Sequence, residues 1–414
     1  SHRQLEQLIC ARSYHSEVVS ALISRQVVTP TDFHWLSHLR HEIRAADAVD
    51  DAQEAAEHIQ IVVTIAASTL EFGNEYIGNA VRMVVTPLTS RVFLSIVSAH
   101  QMHSSSLIEG PHGVGKTGTI LELSYSLARY CKMLHCSGDL ASTTVSSFLK
   151  GMVSTGSWCC LDGIQQIQTE LLCNIAAFVV GLHQGLQANA NHLELEGSLV
   201  ALHSRSHLVL LATTAWPSLV TSGHTSCSVQ LPTLLRERCR PVAMITPDAF
   251  AIAEVKLRTA GFSDASAVAR RLVMLHRMSM STSTSWWMAG NDSVHPDSLP
   301  ELLHLVESAR RMLKGLAKAG HLEDGTIPSS PTAAALRMDR ARSDAQSMQR
   351  LAVYRACVDV LGPKVGSNEN LVGAINQLMP TGLKNQLLGP DKRFPVVRER
   401  HREYIAEKGL QPIA

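Results

Sequence analysis

The chain has 414 residues, 45% hydrophobic and 18% charged, which is enough apolar material for a sizeable core and excludes disorder as its main state. Thirty-seven Lys and Arg against 36 Asp and Glu leave a formal charge of +1, which excludes the broad basic footprint of a nucleic-acid or anionic-membrane binder. No apolar run reaches the roughly 18 residues of a membrane span, and nine Cys without a C-x-x-C pair read as reduced, mostly buried thiols.

Ser1 opens the chain with no signal pattern after it, so the sequence is expected to be a piece of something longer. Residues 1 to about 50 read as helical, with Leu5, Leu8, Ile9, Val18, Val19 and Leu22 at three- and four-residue intervals. Pro30 precedes a second periodic run, Phe33, Leu36 and Leu39, which Thr31 or Asp32 can cap. The β-branched stretch 59–67 reads as a strand, and the turn-rich Phe72 to Asn79 separates it from the central region of the chain.

From about 84 to 245, short apolar runs alternate with helical patterns. The expected strands are Ser106–Ile108, Met133–Cys136, Trp158–Leu161, Leu208–Thr213 and Val242–Ile245; the expected helices are Lys116–Tyr130, Val145–Val153, Ile164–Gly185 and Leu231–Arg238. Such alternation argues for a doubly wound α/β fold, a parallel sheet with helices on both faces. Asp248 to Leu316 reads as helical, broken by a Ser/Thr-rich loop at Ser279–Ser285. A linker at Ile327–Pro331 precedes a helix from Ala333 to about Leu361 and a polar C-terminal stretch.

One motif carries specific chemistry. Gly110-Pro111-His112-Gly113-Val114-Gly115-Lys116-Thr117 fits G-x-x-x-x-G-K-[ST], placed between an apolar run and a helical pattern. Its glycines allow backbone N–H groups to turn inward around a phosphate, and the helix after it presents a positive N-terminus. Lys116 is then placed to reach the β- and γ-phosphates and the Thr117 hydroxyl to ligate Mg²⁺. About 45 residues further on, Ser157 to Asp162 supplies an apolar strand ending in a carboxylate that suits Mg²⁺. ATP or ADP with Mg²⁺ is the expected ligand.

With these motifs the chain resembles the first AAA+ module of a dynein heavy chain, preceded by the end of its linker. The residues that carry the resemblance are Phe72 to Asn79, Val85-Thr86-Pro87-Leu88-Thr89-Ser90-Arg91, the phosphate loop, and Thr155 to Asp162. Arg240-Pro241-Val242-Ala243-Met244, Pro247-Asp248, Ile252-Ala253-Glu254-Val255 and Gly261-Phe262 continue it, and Asp32 to Leu36 is similar to the linker. The resemblance implies a linker end over 1–72, a large nucleotide-binding subdomain over 73–247, a helical lid over 248–325, and a lead-in to the next module over 326–414. It also implies that Pro87, Leu88 and Thr89 wall the adenine side, that Gly118 belongs to the nucleotide-binding set, and that Thr214 takes the place of the family's sensor Asn. The implied partners are the further AAA+ modules of the heavy chain, its intermediate and light intermediate chains, and microtubules, in the cytoplasm and its cytoskeleton. His192 to Gly197 is similar to an insert of axonemal chains, which points to a cilium or flagellum.

The departures from the family pattern lie at the chemistry. Gly163 stands where the family has the Glu that polarises the attacking water, Gly118 stands where it has Glu, and the lid's sensor Arg falls near Pro300 or Glu301. Lys116, Asp162 and Thr214 remain as catalytic candidates, and hydrolysis is expected to be slow. Arg236, Arg238 and Arg240 read either as cations favoured at a helix C-terminus or, by resemblance, as groups acting on a neighbouring module.

Overall fold

The computed structural model describes residues 2–45, 59–78, 82–195, 197–214, 231–287, 299–320, 331–364 and 369–378. The chain divides between Pro247 and Asp248 into two units. The first begins with helix α1 (His2–Ser24) and a single turn, α2 (Phe33–Leu36), whose entry is capped where the Asp32 carboxylate accepts the His34 N–H at 2.8 Å. Strands β1 (Arg40–Ala45), β2 (Ile59–Ile65) and β3 (Ser68–Glu71) then form an antiparallel meander. The helix expected through Leu39 and beyond therefore stops after one turn. The apolar spacing there fits a helix, but Arg40 pairs with Thr64 and Ala45 with Ile59, and ladder bonds to a distant strand override a weak local preference.

The next elements along the chain are α3 (Pro87–Gln101), β4 (Ser105–Gly110), α4 (Lys116–Ser126), β5 (Cys131–His135), α5 (Ser142–Thr155), β6 (Trp158–Asp162) and α6 (Thr169–Gln187). After these come the hairpin β7 (His192–Leu195) and β8 (Ser198–Ala201), then β9 (His207–Thr213), α7 (Thr233–Arg238) and β10 (Cys239–Ala243). Strands β10-β4-β9-β6-β5 lie side by side in that order and every pairing is parallel. Pro241 is tolerated because β10 is an edge strand, where a missing N–H breaks no second ladder.

Alternation along the strands explains the layering. Leu107, Cys159, Leu161, Leu208 and Leu210 face one apolar cluster with α5 and α6; Ile108, Trp158, Cys160, Val209 and Leu211 face another with α3, α4 and the meander. Helix α6 is long and apolar enough, by length and composition, to cross a membrane, but just over half of it is buried here, with Leu172, Ile175, Val179 and Leu182 in the first cluster. The single helix expected from Ile164 is broken: a 3-10 turn (Ile164–Gln166) comes first and α6 starts at Thr169.

The second unit holds α8 (Ala249–Ala260), α9 (Ala265–Trp287), α10 (Leu299–Gly320), α11 (Pro331–Leu361) and α12 (Glu369–Gln377) around Leu257, Leu272, Leu305, Cys357 and Leu371. The loop expected at Ser279–Ser285 is helix instead. Ser279 is buried and its hydroxyl donates to the His276 carbonyl at 2.8 Å, so the side chain is satisfied inside the helix rather than ending it. Asn79, Glu196, residues 327–330 and residues 379–414, which carry some of the sequence-based expectations, lie outside the described residues.

At the N-terminal edge of the parallel sheet, His100 and His207 pack ring against ring with Trp158, at centroid distances of 5.1–5.6 Å. The backbone N–H of Ser105 donates to His183 Nε2 at 2.9 Å, which requires that nitrogen to be unprotonated. Burial, followed by the Arg129 guanidinium, pushes His100 down to about 3, and burial pushes His183 down to about 4. Burial likewise holds His207 well below its ordinary value. In the unfolded chain each imidazole titrates near 6.5. Stability contributed by these neutral rings is thus complete above about pH 6.5 and is lost as the pH falls toward their folded values. Urea unfolding between about pH 7 and about pH 5 should show the midpoint dropping, with up to three protons taken up on unfolding. A flat profile across that window would contradict the buried neutral cluster.

Candidate functional site

The sheet order places the C-terminal end of β4 between β10 and β9, and in open α/β sheets this edge is where ligands bind. Gly110 ends β4, and the loop turns through Gly113 (φ 81°) and Gly115 (φ 93°) into α4. Both are left-handed conformations that glycine adopts without penalty. Val114 is buried, and Gly115 caps α4 in the left-handed conformation with no side-chain hydrogen bond to the first turn of that helix.

Lys116 is only 6% exposed. Its ammonium turns back on its own loop, donating to the Gly110 carbonyl at 2.8 Å and the Pro111 carbonyl at 2.7 Å. Burial pushes it down to about 8, opposed by the attraction of Asp162. Next to it, Thr117 Oγ1 donates to Asp162 Oδ2 at 3.1 Å, which joins the loop helix to the end of β6. His135, at the end of β5, brings Nδ1 within 3.5 Å of the same carboxylate oxygen. Thr214 donates its backbone N–H to the Gly110 carbonyl at 3.1 Å, so this sensor candidate sits beside the loop. Lys116, Thr117, Asp162 and Thr214, selected from sequence, are thus brought together at one strand edge.

Pro87, Leu88 and Thr89 form the first turn of α3, which packs beside α4. Thr86 and Thr89 make a reciprocal capping box: the Thr89 hydroxyl accepts the Thr86 N–H at 2.8 Å and donates to the Thr86 carbonyl at 2.9 Å. The segment leading into this turn is tied to α4 by Glu122, a buried residue with no motif signal. Its carboxylate accepts from Arg82 Nε at 2.7 Å and from the Met83 N–H at 2.8 Å. Gly118 lies under Met83, and a Cβ there would come within 3.1 Å of the Met83 sulfur.

Gly163 follows Asp162 in the left-handed conformation, at φ 81° and ψ 35°. A Cβ at this position would meet the Cys136 carbonyl at 3.5 Å and the Gln166 carboxamide at 3.7 Å, on the β5 side of β6. Any side chain at 163 would therefore have to adopt a left-handed backbone that L-residues disfavour. Gln165 does what the sequence did not signal: its Oε1 accepts the Thr213 N–H at 3.1 Å. Of the three arginines near β10, Arg236 pairs with Glu109 at 3.0 Å, Arg238 ends α7, and Arg240 lies in β10 with Nη1 3.9 Å from the Met102 sulfur. Pro300 and Glu301 occupy the first turn of α10 in the second unit, where Glu301 lies 3.7 Å from His276.

Comparison with known proteins agrees with this geometry. Residues 72–285 match the family described as the hydrolytic ATP binding site of the dynein motor region. The chain is 27% identical to dynein axonemal heavy chain 11 of Sus scrofa over 413 residues, which is 99% of this chain and 8% of that protein. It is 31% identical to dynein axonemal heavy chain 1 of Homo sapiens over 275 residues, 66% of this chain and 6% of that one. Against dynein axonemal heavy chain 3 of Homo sapiens the figure is 29% over 262 residues, 63% of this chain and 6% of the relative. The chain therefore spans less than a tenth of the length of the curated relatives it matches. It belongs to the dynein heavy chain family, as an ATP-binding motor region with the AAA+ fold.

The left-handed turn after Asp162 is directly testable. Gly163→Ala places a Cβ where L-residues pay about 1–2 kcal/mol, a loss that lowers the thermal midpoint by about 2–8 °C for a unit of this size. Differential scanning calorimetry on the two proteins decides it. An unchanged midpoint would mean that residue 163 adopts an ordinary strand conformation.

Proposed function

We propose that this member of the dynein heavy chain family is a nucleotide-binding motor module that holds ATP or ADP with Mg²⁺ and hydrolyses ATP slowly. The observation that carries the reading is a desolvated lysine, Lys116, bonded to the carbonyls of its own glycine-turned loop and followed directly by Thr117, whose hydroxyl donates to Asp162. An ammonium whose hydrogen bonds, among the described residues, go to carbonyls of its own loop suits a triphosphate, because phosphate oxygens are stronger acceptors for a charged donor.

In this reading Gly110, Gly113, Val114, Gly115, Lys116, Thr117 and Gly118 bind the phosphates, and Thr117 with Asp162 holds Mg²⁺. Pro87, Leu88 and Thr89 wall the adenine, and Thr214 offers its hydroxyl to the terminal phosphate. Bound Mg²⁺·ATP supplies the phosphoryl group and the cation that neutralises its developing charge. The chain's own residues position that group, while Gly163 provides no carboxylate to orient or deprotonate water, an effect typically worth about 10²–10⁴-fold. A second reading, a nucleotide-dependent structural module without turnover, is favoured by the left-handed backbone at Gly163.

We assign residues 1–72 to the end of a linker, 73–247 to the large subdomain, 248–325 to the lid and 326–414 to the connection toward a following module. Within the parent complex the module contributes to ATP-driven movement on microtubules. Its partners there are the other modules of the heavy chain and the intermediate and light intermediate chains, in the cytoskeleton of a cilium or flagellum.

Calorimetry should show Mg²⁺·ATP binding to the wild type and affinity about 10–100-fold lower for Lys116→Ala, from the loss of a charge-assisted contact. Equal affinities would remove the basis of the reading. Single-turnover ATP cleavage by the chain extended through the next module separates the two readings: slow cleavage supports the first, none supports the second, and rapid cleavage contradicts both.

A further inference from the structure

The ladder between β6 and β9 ends where Asp162 lies opposite Leu211, and the Gly163 N–H donates to the Leu211 carbonyl at 3.1 Å as its last rung. Thr213 continues β9 two residues further, so its N–H lies beyond that ladder and needs an acceptor from elsewhere. Gln165 provides it. The left-handed turn at Gly163 sends the chain into the 3-10 turn, where the Gln166 N–H closes onto the Gly163 carbonyl at 2.9 Å and fully buried Ile164 anchors the turn in the core. From this turn the half-buried Gln165 reaches β9 with Oε1 3.1 Å from the Thr213 nitrogen. Thr214 comes directly after it, its N–H on the Gly110 carbonyl, and that same oxygen takes the Lys116 ammonium. A continuous chain of contacts thus runs from the turn after Asp162, through Gln165, Thr213, Thr214 and Gly110, to Lys116.

We propose that Gln165 is a positioning residue that latches the end of β9 to the acidic strand, fixes Thr214, and so lets the site distinguish ATP from ADP. The role rests on the nucleotide-binding reading above. It assigns the task of joining the two strand ends to a carboxamide, on a backbone where a side chain at position 163 faces Cys136 instead. Because the latch acts at the residue facing the terminal phosphate, its loss weakens ATP more than ADP. A purely structural role would weaken both alike, or neither.

Gln165→Met removes the acceptor at nearly constant volume. The 414-residue chain, with wild type and variant compared, should be titrated with Mg²⁺·ADP and with Mg²⁺·ATPγS, a slowly cleaved ATP analogue. Amide hydrogen exchange at Thr213 and Thr214 is measured on the same samples. The expected result is a fall of about three- to tenfold in the preference for ATPγS over ADP, the worth of one hydrogen bond. ADP affinity should stay unchanged, the thermal midpoint should fall by no more than a few degrees, about what one lost hydrogen bond costs, and protection at Thr213 should fall. Lost protection with an unchanged preference would show a latch that does not position Thr214, and overturns the proposal. Unchanged protection overturns it as well, because the bond is then not what holds Thr213. If the wild type binds neither nucleotide, the reading of the site fails first and this role fails with it.

Discussion

The arrangement at the strand edge depends on keeping one ammonium out of water. Moving a lysine charge into the interior costs several kcal/mol unless hydrogen bonds and a counter-charge are in place. Lys116 is accommodated by two carbonyls at 2.7–2.8 Å and by the nearby Asp162 carboxylate, whose attraction opposes the burial that pushes it down to about 8. These groups come from two parts of the fold. Gly110 ends β4 and Pro111 follows it in the loop, while Asp162 arrives two strands away at the end of β6. The parallel order β10-β4-β9-β6-β5 is what brings these chain ends to one edge.

A buried carboxylate, Glu122, does corresponding work further along α4. Glu122 is 2% exposed, yet it is fully engaged by the Arg82 guanidinium and the Met83 N–H. Removing one partner of such a pair leaves an uncompensated buried charge, which typically costs about 3–5 kcal/mol. The contact fixes the segment entering α3 against the helix that carries Lys116. The first turn of α3, with its Thr86–Thr89 capping box, therefore has a set position relative to the loop. At the opposite edge of the same sheet, neutral histidines fill space that strand ends leave open, so the two edges carry opposite electrostatic solutions.

Much of this was readable from the sequence where signals are local. The loop Gly110–Thr117, the acid at Asp162 and the alternating strands of the parallel sheet each announce themselves within ten residues or fewer, because glycine conformation, capping and period-two burial are local physics. The misreadings have different causes. Residues 40–45 look helical and are a strand because they pair with residues 59–64. The Ser279–Ser285 run looks like a loop and is helix because Ser279 bonds back within α9. Glu122 and Gln165, which organise the site, give no local sign at all: one looks like an exposed helix residue and the other like the start of α6. Their roles exist only through residues 39 to 48 positions away.

If the Thr117–Asp162 pair holds Mg²⁺ beside a phosphate-binding lysine, as proposed above, nucleotide affinity must depend on the metal. ATP should be titrated into the wild type and into Asp162→Ala, each with Mg²⁺ and with a chelator in its place. Mg²⁺ should tighten ATP binding to the wild type at least about tenfold, as one charge-assisted contact does, and this increment should disappear in Asp162→Ala while metal-free binding persists. Equal affinities with and without Mg²⁺ in the wild type, or a full Mg²⁺ increment in the variant, would contradict it.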